Sequence, residues 1–403
     1  MWFVAGLGTV ALFVDLPKPS VSEPGVTGSS AAPAVSTNLL LSRDNPWGDL
    51  EVIRMPLRHK EGYSSAYAHD HRERLRPPRW FFAGQTKAQV EGLFDSCDLD
   101  VDQREELQNP GRWHESSNGC YVLPSRMLIR NLTSASRQRI YSVLASSPSN
   151  YSQCYAFRFP RSDFVPRLAE SGLSSNTVRL VESLAYTNRN TICFADLEVL
   201  RGQLSGWEFA RVMRTLYHVP AYRLRLRVHP DSDAHALAVY WGKGGRVEKI
   251  QPMLESLTQE TGPENATLSI GYLLPPFPRL RLNTFPVAWN EPEAEHEDCF
   301  WTSMNFFNDQ PDNRFLDTRF VRRTLDQDYD LVAGVPTFGD LIAVYDRAGS
   351  ALHMCVYIAD DFVFTKNGAG GLFPWVLMKM RDMLLLYPVE NGNRLVVYRR
   401  KDL

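Results

Sequence analysis

The sequence predicts an α+β protein, with a C-terminal domain in which one short helix packs on an antiparallel sheet. Three observations predict it. Long stretches of the first 220 residues repeat their apolar residues at helical spacing, the later chain changes to short alternating runs, and Pro275-Pro276-Phe277-Pro278 punctuates the two. A chain of 403 residues that is 44% hydrophobic can bury two or three cores. Its formal charge of −2, with 22% charged residues, gives no electrostatic pull toward nucleic acid or anionic lipid.

Taken in order, Trp2 to Val14 is almost wholly apolar and is followed by a Pro, Ser, Gly and Ala-rich stretch from Pro17 to Ser36. That run is too short to span a bilayer and suits a signal-peptide core or an anchor, although it lacks a basic leader. Residues 1–38 are therefore expected to direct export or membrane attachment, with a cell-envelope or periplasmic location. Pro78 to Arg161 is expected to be mainly helical, through Lys87–Phe94, Val101–Gln108 and the run opened by Ser134. His69 and His71 could share one strand face, but no further ligand has metal-site spacing, and Trp113-His114 is expected in a loop. No metal or cofactor is implied.

The helical pattern continues from Phe164 to Glu198 and from Gly206 to Tyr217. Tyr222 to Val228 alternates strictly and predicts a strand with Arg223, Arg225 and Arg227 on its open face, and Ala236–Trp241 is expected as its hairpin partner. The expected domains are 39–160, mainly helical; 161–282, mixed; and 283–403. Of the six cysteines, Cys97, Cys120, Cys154 and Cys193 could form one or two bridges if the chain is exported; no Cys-x-x-Cys pair marks a zinc site.

The chemistry gathers in 283–403. Asp298-Cys299-Phe300-Trp301 predicts a helix start with Asp298 as N-cap, a surface-accessible position at which unpaired N–H groups favour a thiolate. Phe338-Gly339-Asp340-Leu341 leads one strand, and His353 heads a second that ends Tyr357-Ile358. Phe362–Thr365 and Leu395–Arg399 are further strands, and Pro374 is expected to open a helix through Leu386. A nucleophile with a nearby base needs a third polar group to orient the imidazole. A three-residue turn at Ala359-Asp360-Asp361 would place Thr365 and Asn367 on the face of His353, with Asn367 almost opposite. A two-residue turn would present Phe364 and Lys366 instead. Asn367 is the expected orienting residue, with Thr365 the alternate.

The order and spacing of Asp298-Cys299, Gly339-Asp340-Leu341 and His353 resemble the NlpC/P60 family of papain-like cysteine peptidases over about the last 120 residues. The resemblance implies Cys299 as nucleophile, His353 as general base and a third polar residue, at Thr365 by the family's spacing. It implies a peptidase or amidase acting on peptidoglycan stem peptides, with acyltransferases among relatives of the fold. Phe300-Trp301 departs from the small residues common there and fits an altered groove, or a noncatalytic envelope or binding protein that keeps the fold. Nothing in the sequence bears on oligomeric state.

Overall fold

The computed structural model describes residues 45–57, 78–259, 266–286, 297–369, 373–387 and 392–403. The apolar N-terminal run and the His69/His71 pair lie outside them. The chain divides into two units: one drawn from Met1–Pro56, Pro220–Met380 and Tyr387–Leu403, the other from Leu57–Val219 with Arg381–Leu386. The division falls at Pro220, where 160 and 282 were expected. Apolar continuity accounts for the difference, because Leu226, Trp241 and Phe277 are buried in the same cluster as Trp301, Phe338 and Phe364. The proline run before Asn283 interrupts the helical pattern without ending the core.

The Leu57–Val219 unit is mainly helical, and its helices start where side chains can cap them. Thr86 and Gln89 form a capping box on Lys87–Asp95, and Asp100 and Gln103 form one on Val101–Gln108. Thr133 caps Ser134–Leu144, from which Ile140, Tyr141 and Leu144 enter a core with Trp80, Phe82 and Phe94. Beside them Arg137, with no exposed surface, donates Nε to Asp196 Oδ2 at 2.8 Å and Nη2 to the Ile129 carbonyl at 2.6 Å. Two expectations fail here. Trp113–Ser116 is a strand paired with Gly119–Val122, held by Trp113 Nε1 donating to the Leu107 carbonyl at 2.6 Å. The helix expected through Glu198 gives way to the hairpin Tyr186–Asn188 and Thr191–Phe194, turned at Arg189 with φ 53°. All six cysteines are free thiols, so Cys97, Cys120, Cys154 and Cys193 do not form the one or two bridges that export would allow.

The other unit carries a three-stranded sheet, in which Val219–Val228 lies between Asp49–Leu57 and Ala266–Ser269. Its arginine face is partly engaged, with Arg225 Nη1 3.7 Å from Glu51 Oε2. Ala234–Trp241 is a helix, capped by Asp233 at the Ala236 N–H, where a hairpin strand was expected. Its buried residues Leu237, Ala238, Tyr240 and Trp241 recur at helical spacing, which the alternating pattern around Ala236 concealed.

The six-stranded antiparallel sheet runs Tyr329–Leu331, Arg394–Arg400, Leu341–Tyr345, Ala351–Ala359, Phe362–Lys366, Trp375–Lys379. Trp375–Lys379 is thus a strand, and the helix expected from Pro374 begins only at Met380. A run apolar on every side suits either state; pairing with Phe362–Lys366 decides it. Met354, Val356, Phe362 and Phe364 share a cluster with Trp301, Met304 and Phe306, so the Cys299–Met304 helix packs on that face. This helix-on-antiparallel-sheet layer is the α+β arrangement the sequence predicts.

Candidate active site

Cys299 is the first residue of its helix, and Asp298 Oδ1 accepts from the Trp301 N–H at 2.8 Å. The helix is six residues long and stops at Asn305, which turns its own side chain to the backbone. Its Nδ2 donates to the Trp301 carbonyl at 3.0 Å and its Oδ1 accepts from the Asp312 N–H at 2.7 Å. Trp301 has no exposed surface and points into the core, where Nε1 donates to Asn313 Oδ1 at 3.2 Å. Its bulk therefore anchors the helix and does not line a groove.

The His353 strand and the Thr365 strand meet with Ala359 opposite Phe362, across the two residues Asp360 and Asp361. By itself that tight turn would bring Phe364 and Lys366 to the histidine's face. A bulge between Tyr357 and Ala359 shifts the register, so that Tyr357 opposes Val363 and Val356 opposes Phe364. The pairing now places Cys355, Thr365 and His353 on one face. His353 Nε2 lies 2.9 Å from Thr365 Oγ1. Asn367, the favoured orienting residue, does not reach the ring: its Nδ2 donates to Met378 Sδ at 3.3 Å, and its Oδ1 is buried without a hydrogen bond. It stands past the last paired residue, Lys366, where the strands separate. Thr365 is the residue that makes the contact.

The opposite ring nitrogen, Nδ1, is buried and makes no hydrogen bond among the described residues. The backbone of Met354, the residue after His353, favours the Cys299 thiolate. Met354 and Val356 face the Cys299 helix, so strand alternation turns the His353 ring to the opposite face of the sheet, and the thiol and imidazole are not hydrogen-bonded to each other. Tyr387 stacks on the imidazole with ring centroids 4.3 Å apart and 13° between planes.

Electrostatically the site is the reverse of an exposed thiolate. Cys299 is 5% exposed, and burial pushes its thiol up to about 12; Asp298 adds to the rise, while the Met354 and Cys299 N–H groups and Lys366 oppose it. Burial alone holds His353 down to about 3. At rest the two groups are accordingly a thiol and a neutral imidazole. The expected surface position of Cys299 fails because the residues around it, Trp301, Met354 and Lys366, are themselves buried.

Several residues of this region escape motif reading. Lys366 has no exposed surface, donates to the Gly368 carbonyl at 2.5 Å and lies 5.8 Å over the Trp375 ring. Burial lowers it to about 8, against the charges of Glu297, Cys299 and Asp298. Asp340, from the Gly339-Asp340-Leu341 lead, takes a two-pronged ion pair from Arg399, Nε to Oδ1 at 2.9 Å and Nη2 to Oδ2 at 2.6 Å. Gly339 has φ +90°, and a Cβ there would stand 2.4 Å from Phe307 Cζ. That part of the motif is scaffold, tying the head of the Leu341 strand to the last strand and to the Cys299 helix region. Among the described residues no cluster of His, Cys, Asp or Glu could hold a metal ion, and no helix is long and apolar enough to cross a membrane.

No family model, curated protein or solved structure matches this chain. The arrangement of Cys299, His353 and Thr365 has to carry the functional reading by its own chemistry.

Proposed function

We propose that the six-stranded sheet and its helix form a thiol hydrolase, a peptidase or amidase, with Cys299 as nucleophile, His353 as base and Thr365 as the group that orients the ring. The observation that carries the reading is the bond between His353 Nε2 and Thr365 Oγ1. A ring that donates its Nε2 proton to Thr365 keeps the Nδ1 lone pair for the thiol proton, which is the tautomer a base requires. The backbone of Met354 favours a thiolate at Cys299. Substrate binding must displace the stacked Tyr387 and bring the imidazole, which the resting sheet holds on the face opposite the Cys299 helix, to the sulfur. Attack by sulfur on the carbonyl carbon then forms an acyl-enzyme, the leaving amine takes the proton from His353, and water releases the acid.

The substrate class follows from the resemblance: stem peptides of peptidoglycan, met in the cell envelope by a chain exported or anchored through its N-terminus. A noncatalytic binding module is the second reading, and the burial of both Cys299 and His353 favours it. One experiment separates them. The full chain is incubated with an electrophilic thiol probe and with peptidoglycan fragments, alongside Cys299→Ala. Labelling at Cys299 and bond cleavage, both absent in the variant, support the hydrolase; fragment binding without cleavage or labelling supports the module.

A further inference from the structure

The sheet face on which the Cys299 helix packs holds a buried cation that the mechanism does not use. Lys366 ends the strand Phe362–Lys366, and alternation puts it on the side of Phe362 and Phe364, which share the apolar cluster of Trp301, Met304 and Phe306. It pairs across the sheet with Trp375 and lies 5.8 Å over that ring, while Trp375 Nε1 donates to Thr302 Oγ1 at 3.0 Å. Thr302 follows Cys299 by about one helical turn, so the two stand on one side of the helix. The side of the helix that carries the sulfur is therefore turned to the indole on which Lys366 rests. Within this enclosure the charges of Lys366 and Cys299 act on each other. Glu297 and Asp298 act on the lysine from the same segment. Arg281 stacks over Trp375, Trp301 and Phe277 and also feels Glu297, and His353 lies on the far face of the sheet.

We propose that Lys366 is the counter-ion of the Cys299 thiolate: its ammonium, set on the Trp375 ring at the helix face of the sheet, holds the negative sulfur that attack requires. The proposal deepens the hydrolase reading and rests on it only for the use made of the thiolate. The thiol proton goes to His353 or to solvent and Lys366 keeps its own, so the ion pair forms without a further reactant. A lone thiolate here is opposed by burial and by Asp298, and an ammonium offsets both. Burial holds the lysine at about 8, so its charge is present at neutral pH and is withdrawn just above it. The reactivity of Cys299 is thereby tied to a second titration. Thiolate with ammonium and thiol with free amine carry the same number of protons, so raising the pH past the lysine's midpoint no longer increases the first relative to the second. A lysine that only closes on the Gly368 carbonyl and packs on the indole makes no such link.

Alkylation of the full chain by iodoacetamide, a neutral reagent, reads the thiolate at Cys299, with the modified peptide quantified on both sides of about pH 8. In the wild type the logarithm of the rate should rise linearly with pH and level off near 8. Lys366→Met should react about tenfold more slowly below that break and show no break of its own. Lys366→Arg, whose charge is not withdrawn, should keep the wild-type rate below the break and go on rising above it. A wild-type profile without a break, a Cys299 inert across the range, or a break left unmoved in either variant overturns the counter-ion. The arginine variant decides the matter if the methionine variant fails to fold. A break lost in the variants, with no peptidoglycan fragment cleaved by the wild type, upholds the ion pair and removes the hydrolase; cleavage with no break keeps the hydrolase and removes the pair.

Discussion

Replacing His353 by glutamine should change how the sheet responds to acid. The imidazole has no exposed surface, lies under Tyr387 and is held by burial at about 3, against an ordinary value of 6.5. The unfolded chain therefore takes up this proton first as pH falls, and the native state is penalised relative to it. The contribution is complete above pH 6.5 and is lost progressively as pH falls toward 3. Two pH units below 6.5 correspond to roughly 2.7 kcal/mol, at about 1.36 kcal/mol per unit. A glutamine side chain does not titrate, and its amide can still meet Thr365. Hydrogen exchange of the amides in 351–366, corrected for intrinsic rates, reads the local opening free energy without requiring the two units to unfold together. The wild type should lose roughly 2–3 kcal/mol more than His353→Gln between pH 7.5 and 4.5. Carboxylates titrating in the same window act on both proteins and cancel in the difference. Parallel pH profiles would refute the reasoning, showing that the ring is hydrated or charged in the native state.

Thr365→Val removes the partner of Nε2 at nearly constant shape, and turnover on a cleaved substrate should fall by about ten- to a hundredfold. Asn367→Ala should change it by less, and the reverse order in steady-state kinetics would restore Asn367 as the orienting residue. Arg399→Met strands the carboxylate of Asp340, which is 1% exposed. The cost should be roughly 2 kcal/mol, below that of a fully enclosed pair because the arginine side chain is 36% exposed, and chemical denaturation measures it. A fragment starting at Leu280 should not melt cooperatively, since it lacks Leu226, Trp241 and Phe277 from the shared cluster; a fragment that also keeps residues 45–57 and 220–279 should, by calorimetry.

How far the sequence reaches can be read from individual elements. Lys87–Asp95, Val101–Gln108 and Ser134–Leu144 are legible because apolar period and cap agree at each start. The Cys299 helix with its Asp298 cap and the strands bearing His353 and Thr365 are legible for the same local reason. Trp375–Lys379 is not, because a run apolar on every side carries no period and only the neighbouring strand decides between helix and strand; Ala234–Trp241 is not, because the alternation around Ala236 masks its helical spacing. Thr365 over Asn367 depends on a bulge that no turn residue announces. Arg281 is invisible for a different reason: nothing in Pro278-Arg279-Leu280-Arg281 says which arginine lies on three rings. Burial of Cys299 is likewise a tertiary outcome, and it inverts the charge state that a helix start alone suggests.

The bulge between Tyr357 and Ala359 makes the chemistry of the site hostage to strand shape at a place far from any reacting atom. Flattening the bulge at constant length, with Ile358 opposite Val363, would keep the Asp360-Asp361 turn and leave the fold much as it is, yet it would exchange Thr365 for Phe364 or Lys366 on the face of the imidazole. Deleting the extra residue would instead leave Tyr357 opposite Val363 and Thr365 where it is. Among natural variants of this chain, a one-residue gap aligned to Ile358 is therefore compatible with an oriented His353, whereas a residue that flattens the strand there at full length is not.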